Sequence, residues 1–182
     1  MERNLMVAGF GGQGILLLGK LLANTASDYT DKNVTFFPSY GAEMRGGTAS
    51  CYVVISDEMI GAPLGDAMDD LIVMNQPSFD KYLFKLLPGG TLFINSSIVT
   101  AETDREDLTI VSAPVTELAL ELGNPRVLNI AMLGVYVGYT DILPAEAVMK
   151  SITELLSKRA DMLPVNTAAF EKGLEIGRAA KK

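Results

Sequence analysis

The chain has 182 residues, 48% of them hydrophobic, and its 15 basic and 22 acidic residues give a net charge of -7. A single cysteine and no histidine rule out an internal disulfide and a cysteine-ligated cluster held by this chain alone, and argue against a Ser-His-Asp triad or a zinc site. The lack of a basic stripe argues against nucleic acid as a partner.

This length predicts one domain over residues 1–182, which buries roughly 70% of the surface of its unfolded chain. The amino terminus runs straight into a strand-like segment, so no signal peptide is expected. The longest uncharged stretch, residues 127–140, is too short and too rich in Asn, Gly and Tyr to cross a bilayer. A cytoplasmic protein without membrane contact is therefore expected.

Apolar runs in the first half of the chain predict strands that alternate with a helix. In chain order they are a strand over 5–8, a helix over 15–26, a strand over 33–37 closed by Pro38, a strand over 49–56, an irregular segment over 57–70 and a strand over 71–74. The run over 49–56 is apolar enough for a strand buried on both faces. Its Cys51 is therefore expected to be an inert buried thiol.

The second half of the chain becomes increasingly helical. In chain order it predicts a helix over 79–87 ended by residues 88–90, strands over 91–95 and 108–111, helices over 115–122 with Gly123 at the cap, over 127–139 and over 145–156, and a last helix from a cap at Asn166 to Arg178. The alternation predicts an α/β fold with a doubly wound, mainly parallel sheet flanked by helices and a helical C-terminal third.

The predicted helix over 127–139 is apolar on nearly all sides. Such a helix must be covered all round, either by a partner subunit or as a central helix of its own domain. Both alternatives remain open from the sequence.

The first unusual segment, the glycine turn, comprises residues 9–14 and reads GFGGQG. Gly9, Gly11 and Gly14 satisfy the pattern G-x-G-x-x-G between a predicted strand and a predicted helix, where backbone N–H groups and the helix dipole attract an anion. An NAD site also requires an acid at the end of the second strand, where this chain has Ser39 and Tyr40. The segment therefore predicts contact with an anion or cofactor, or a tight turn without a ligand, with NAD or FAD as a less favoured alternative.

The second unusual segment, the polar loop, comprises residues 39–48 and reads SYGAEMRGGT. Glu43 and Arg45 either pair with each other, or Arg45 faces an anionic partner. Otherwise the loop satisfies its own polar groups. If the strands before the two segments are parallel, both segments emerge at the carboxyl edge of one sheet, where α/β folds bind ligands.

Together the two segments resemble the gamma subunit of the 2-oxoacid:ferredoxin oxidoreductases, a family of pyruvate, 2-oxoglutarate and ketoisovalerate enzymes. The resemblance runs nearly end to end, through residues 9–14, 38–48, 55–57, 75–78, 88–90, 95–97, 121–126 and 129–134, and through Asn166 and Gly173. The segment 38–48 is its most specific part.

The resemblance implies one part of a multi-subunit oxidoreductase. Such a complex decarboxylates a 2-oxoacid on thiamine diphosphate, transfers the acyl group to coenzyme A and passes electrons through iron–sulfur clusters to ferredoxin. The resemblance implies alpha and beta subunits as partners, with a delta ferredoxin-like subunit as a further one, and places thiamine diphosphate and the clusters on those other subunits. It favours 2-oxoglutarate or a branched-chain 2-oxoacid as the substrate.

This chain is expected to bind no cofactor alone, to hold no metal and to supply no catalytic residue, but to contact coenzyme A or a partner subunit. The residues predicted for that contact are Gly9, Gly11, Gly12, Gln13, Gly14, Ser39, Tyr40, Glu43, Arg45, Gly46, Gly47 and Thr48. Three alternatives remain: a stand-alone nucleotide-binding oxidoreductase, a component of an indolepyruvate oxidoreductase, and an adaptor that forms a homodimer through its apolar helix.

Overall fold

A computed structural model describes residues 1–40, 47–61 and 67–181, without the side chain of Tyr40. A six-stranded sheet has the order β2-β3-β1-β4-β5-β6. The strands are β1 Glu2–Phe10, β2 Asn33–Tyr40, β3 Thr48–Ser56, β4 Met68–Val73, β5 Leu86–Asn95 and β6 Thr109–Ala113. The helices are α1 Ile15–Tyr29, α2 Gln76–Tyr82, α3 Val115–Glu121, α4 Leu128–Thr140, α5 Ala145–Leu155 and α6 Leu163–Ala180. Within the described ranges, no helix is long and apolar enough to cross a membrane.

The predicted mainly parallel α/β sheet is confirmed, with one antiparallel strand inside it. Strands β1, β4, β5 and β6 pair in parallel. Strand β3 is antiparallel to both β1 and β2. Since β1 and β2 each oppose β3, they run in the same direction and end at the same edge of the sheet, as predicted. We call this edge of the sheet, where β1, β2, β4 and β5 end and β3 begins, the carboxyl edge.

The two faces of the sheet are covered unequally. Side chains alternate along each strand, so neighbouring residues of β1 enter different apolar clusters. The larger cluster holds Leu5 and Val7 with residues of α1, α3, α4, α5 and α6. The smaller holds Met6 and Ala8 with residues of α2 and of the segment before β6.

Three predicted boundaries are wrong, each for a local reason. Pro38 does not close the second strand but lies within β2, because β2 is an edge strand that tolerates a missing N–H donor. Residues 88–90 do not end a helix but lie in β5, which α2 and a short 3-10 turn, Leu83–Lys85, precede. Asn166 caps no helix: it lies inside α6, and its Nδ2 donates to the Met162 carbonyl at 2.7 Å.

Helix α4 is covered within this domain. Its residues 129–138 are all buried, and α6 is its principal neighbour. The two helices meet through four glycines, Gly134, Gly138, Gly173 and Gly177, at each of which a Cβ would strike backbone atoms of the facing helix. Of the two alternatives for this helix, the central position within the domain is the correct one.

A buried charge cluster joins the sheet to α4. Asp70 of β4 is fully buried and accepts hydrogen bonds from the Arg3 guanidinium and, at 2.9 Å, from the Tyr136 hydroxyl. Burial, together with the Asp70 charge, raises the pKa of Tyr136 well above its ordinary value. Asp70 lies in the segment 57–70 that sequence analysis predicted to be irregular. The Asp70 carboxylate is tolerated inside the sheet because Arg3 and Tyr136 both hydrogen-bond to it.

Candidate functional site

The glycine turn lies at the carboxyl edge, between the end of β1 and the start of α1. Gly12 and Gly14 have φ of 97° and 72°, the left-handed region that favours glycine. Gly14 precedes α1 without a side-chain cap, and the first turn of α1 contains no acidic residue. The turn therefore presents the positive end of a 15-residue helix with no negative side chain in its first turn.

Gln13 holds the glycine turn together rather than projecting from it. Its Oε1 accepts from the Phe10 N–H at 2.7 Å, and its Nε2 donates to the Met74 carbonyl at 2.9 Å. A Cβ on Gly9 would lie 2.6 Å from the same Oε1, so Gly9 leaves the space that this amide fills. Both ends of the Gln13 amide are thus paired inside the protein, tying the end of β1 to the end of β4.

The polar loop approaches the glycine turn directly. The Gly11 N–H donates to the Gly47 carbonyl at 3.0 Å. This bond uses the Gly11 amide, so that donor is not available to a ligand. Because β2 and β3 are adjacent and antiparallel, the polar loop is the connection of a β-hairpin.

The described residues of the polar loop flank this contact. Ser39 pairs with Ser50, the Tyr40 backbone pairs with Ala49, and Thr48 faces Phe10 across the β1–β3 ladder. Glu43, Arg45 and Gly46 lie outside the described residues. Their predicted roles therefore stay predictions.

Three buried asparagines were not among the predicted contacts; two lie at the carboxyl edge and one lies in α4. Asn129 donates from Nδ2 to the Gly14 carbonyl at 3.2 Å. Asn75 follows β4 and caps α2 through the Ser78 N–H at 2.8 Å, and Asn95 ends β5 and donates to Thr116 Oγ1 at 2.9 Å. All three are buried. The signal for Asn129 was available, since it is the one amide side chain in an otherwise apolar predicted helix.

Cys51 lies beside the start of α1, with Sγ 3.7 Å from the Ile15 carbonyl. It is fully buried, and burial raises the pKa of its thiol to about 12. A thiol that stays protonated is a poor nucleophile and a poor metal ligand. The expected burial of Cys51 is confirmed. In the described part of the chain, no three His, Cys, Asp or Glu side chains are arranged to hold a metal ion.

At this edge, then, the chain offers backbone N–H groups and a helix N-terminus, which are suited to bind an anionic group without reacting with it. No acid stands at the end of β2, whose last residues are Pro38, Ser39 and Tyr40, so the ribose-binding carboxylate of an NAD site is missing from that position. Dimerisation through α4 is likewise not available, because α4 is buried in its own domain.

Comparison with known proteins identifies the family. Residues 4–176 match the family described as pyruvate ferredoxin/flavodoxin oxidoreductase. The chain is 36% identical to the 2-oxoglutarate synthase subunit KorC of Methanocaldococcus jannaschii, over 98% of this chain and 95% of that one. It is 37% identical to the ketoisovalerate oxidoreductase subunit VorA of Methanothermobacter marburgensis, where the match covers 97% of this chain but only 37% of VorA.

Solved structures agree with this assignment. The gamma subunit of a keto/oxoacid ferredoxin oxidoreductase from Geobacter sulfurreducens superposes with a TM-score of 0.86 at 32% identity, covering 100% of this chain and 99% of that one. A 2-oxoglutarate:ferredoxin oxidoreductase from Magnetococcus marinus, determined with 2-oxoglutarate, coenzyme A and succinyl-CoA bound, gives 0.88 at 25% identity. That match covers 98% of this chain and 31% of the other. The chain therefore belongs to the pyruvate ferredoxin/flavodoxin oxidoreductase family, in which its length and fold are those of a gamma subunit.

Proposed function

We propose that this chain is the gamma subunit of a multi-subunit complex that oxidatively decarboxylates a 2-oxoacid to an acyl-CoA and passes the electrons to ferredoxin. The substrate proposed is 2-oxoglutarate or a branched-chain 2-oxoacid, the two classes named for the relatives KorC and VorA. Thiamine diphosphate and the iron–sulfur clusters are assigned to partner subunits. The single cysteine of this chain does not fit a cluster.

The role proposed for this chain is to contact coenzyme A at the carboxyl edge. The observation behind it is the direct bond between the Gly11 N–H and the Gly47 carbonyl, which brings the glycine turn and the polar loop together beside the start of α1. Coenzyme A carries phosphate groups, and unpaired N–H groups at a helix N-terminus bind phosphate. When bound, coenzyme A supplies the thiol that accepts the acyl group; the residues of this chain would only hold and orient it.

Arg45 provides the test of this assignment, because a guanidinium near a phosphate binds it bidentately. In the reconstituted complex, Arg45→Met is expected to raise the KM for coenzyme A about tenfold or more, with the KM for the 2-oxoacid unchanged. Lys172→Met removes one exposed positive charge from α6 and serves as the matched control. An intact Arg45→Met complex with an unchanged KM for coenzyme A would refute this role for the polar loop.

A further inference from the structure

Within the described residues, one part of the sheet surface has no helix over it on the side opposite α1. Phe37 of β2 lies directly opposite Tyr52 of β3, and Tyr52 lies opposite Met6 of β1, so all three point to the side of the smaller apolar cluster. Among the described residues, α2 is the one helix on this side, and it packs on β1 and β4. We call this surface the open face and define it by Phe10, Phe37, Ser39 and Tyr52.

The open face exposes aromatic side chains. Phe37 is 51% exposed and Phe10 is 37% exposed, although each belongs to a strand of the sheet. Lys85 donates to the Tyr52 hydroxyl at 3.2 Å, and its chain neighbour Phe84 is 74% exposed. Exposed aromatic rings on one face of a sheet favour a contact surface there, since their hydration costs free energy that a partner would recover.

The open face is continuous with the candidate site. Two residues along each strand from Phe37 and Tyr52 lie Ser39 and Ser50, which pair with each other at the carboxyl edge. Phe10 ends β1 next to Gly11 of the glycine turn and faces Thr48 of the polar loop. A partner seated on the open face would therefore reach the glycine turn and the polar loop.

The relatives indicate what kind of partner belongs there. In VorA and in the Magnetococcus marinus oxidoreductase, the match to nearly all of this chain covers only 37% and 31% of a longer polypeptide. In those proteins the domain is therefore joined to further protein of the same chain. The KorC match covers 95% of its chain, so a subunit of that length must hold its neighbour by surface contact alone.

We propose that the open face is the docking surface for the partner subunit that corresponds to the remainder of those longer chains, with the half-exposed Phe37 as an anchor. This inference rests on the function proposed above. A partner docked here covers the exposed rings and completes the carboxyl edge from the side that α1 leaves open. A large aromatic side chain at the centre of an interface typically dominates its binding energy.

The test is co-expression of this chain with the other subunits of its complex, followed by affinity purification and measurement of subunit stoichiometry. Phe37→Glu places a charge on the open face and is expected to reduce the recovered partner at least tenfold. Leu120→Glu, at a 58% exposed position of α3 on the other side of the sheet, is the matched control and should bind like the wild type. Because Phe37 is half-exposed, the variant should keep the circular dichroism spectrum of the wild type.

Photo-crosslinking tests the same surface without a disruptive charge. With p-benzoylphenylalanine at position 37, the partner subunit is expected to be the crosslinked product. The proposal would be overturned if Phe37→Glu recovered as much partner subunit as the wild type, or if Leu120→Glu lost the complex instead. A crosslink only to a second copy of this chain would also overturn it. Failure of the wild-type chain to co-purify, or of the assembled complex to oxidise a 2-oxoacid, would instead contradict the proposed function itself.

Discussion

Gln13 is the residue on which the shape of the glycine turn depends. It accepts from Phe10 and donates to Met74, so one side chain joins two strand ends. An amide with both ends paired within the protein fixes the position of the turn.

Gln13→Glu should destabilise the folded chain by about 1–3 kcal/mol, because a carboxylate would face the Met74 carbonyl without a proton to donate. Urea unfolding measures the change. Asn24→Asp is the control, since it makes the same change from amide to carboxylate at an exposed position of α1. Equal stability of the two variants would contradict the positioning role.

Cys51 gives the chain a pH dependence at high pH. Burial raises the pKa of the thiol to about 12, from an ordinary value of 9.0. As pH rises above about 9, the unfolded chain therefore releases this proton while the folded chain retains it, and stability falls.

The expected loss from this one group approaches about 1.4 kcal/mol per pH unit. The measurement is the difference in unfolding free energy between the wild type and Cys51→Ala from pH 8 to pH 10.5. As pH rises, the unfolding free energy of the wild type should fall relative to that of Cys51→Ala. A difference independent of pH would show that the thiol titrates normally in the folded chain.

Residue types alone predicted part of the site. The backbone pattern of the glycine turn was readable because glycine spacing constrains local geometry. The Gly11–Gly47 bond and the Asn129–Gly14 bond were not, since both join segments far apart in sequence. Asp70 was missed for a related reason: its burial depends on Arg3 and Tyr136, which neither flank it nor share its element.

At the scale of elements, the contact between α4 and α6 sets how closely the helical layer packs. Glycines repeat four residues apart in both helices, Gly134 with Gly138 and Gly173 with Gly177, so the backbones touch. The glycine spacing was present in the sequence, but the sequence did not show that α4 and α6 pack against each other. Periodicity identifies a helix face made of small residues without identifying the element that packs on it.

Gly173→Ala should cost about 1–3 kcal/mol, because the new Cβ would overlap the Ala131 carbonyl and neither backbone can yield easily. Gly61→Ala is the control, since nothing lies within 4 Å of its Cβ position. Thermal unfolding of both variants checks the expectation. An unchanged melting temperature for Gly173→Ala would mean that the two helices are less closely packed than described.

The elements themselves were largely predictable, because apolar runs and their breaks reflect burial directly. The directions of the strands and the exact ends of the elements were less predictable. The buried run of β3 is the same whether its neighbours are parallel or antiparallel, and Pro38 ends a strand only where its missing N–H would matter. Residues 88–90 resemble a helix stop, yet the chain enters β5 before them.

At the scale of the whole molecule, the chain is a scaffold with one heavily covered face and one functional edge. Five helices contribute to the larger apolar cluster, whereas α2 alone among the described helices contributes to the smaller one. The carboxyl edge provides amides and a helix N-terminus but, in its described part, no group suited to break a carbon–carbon bond. These groups fit the binding role proposed above for this chain.

The most direct measurement is 2-oxoacid-dependent reduction of ferredoxin in the presence of coenzyme A, with 2-oxoglutarate and a branched-chain 2-oxoacid as substrates. It compares the purified chain, the partner subunits without it, and the reconstituted complex. We expect turnover by the complex alone and none by the purified chain. Oxidation of either substrate by the chain on its own, or full coenzyme A-dependent activity of the partners without it, would refute the subunit role proposed for this chain.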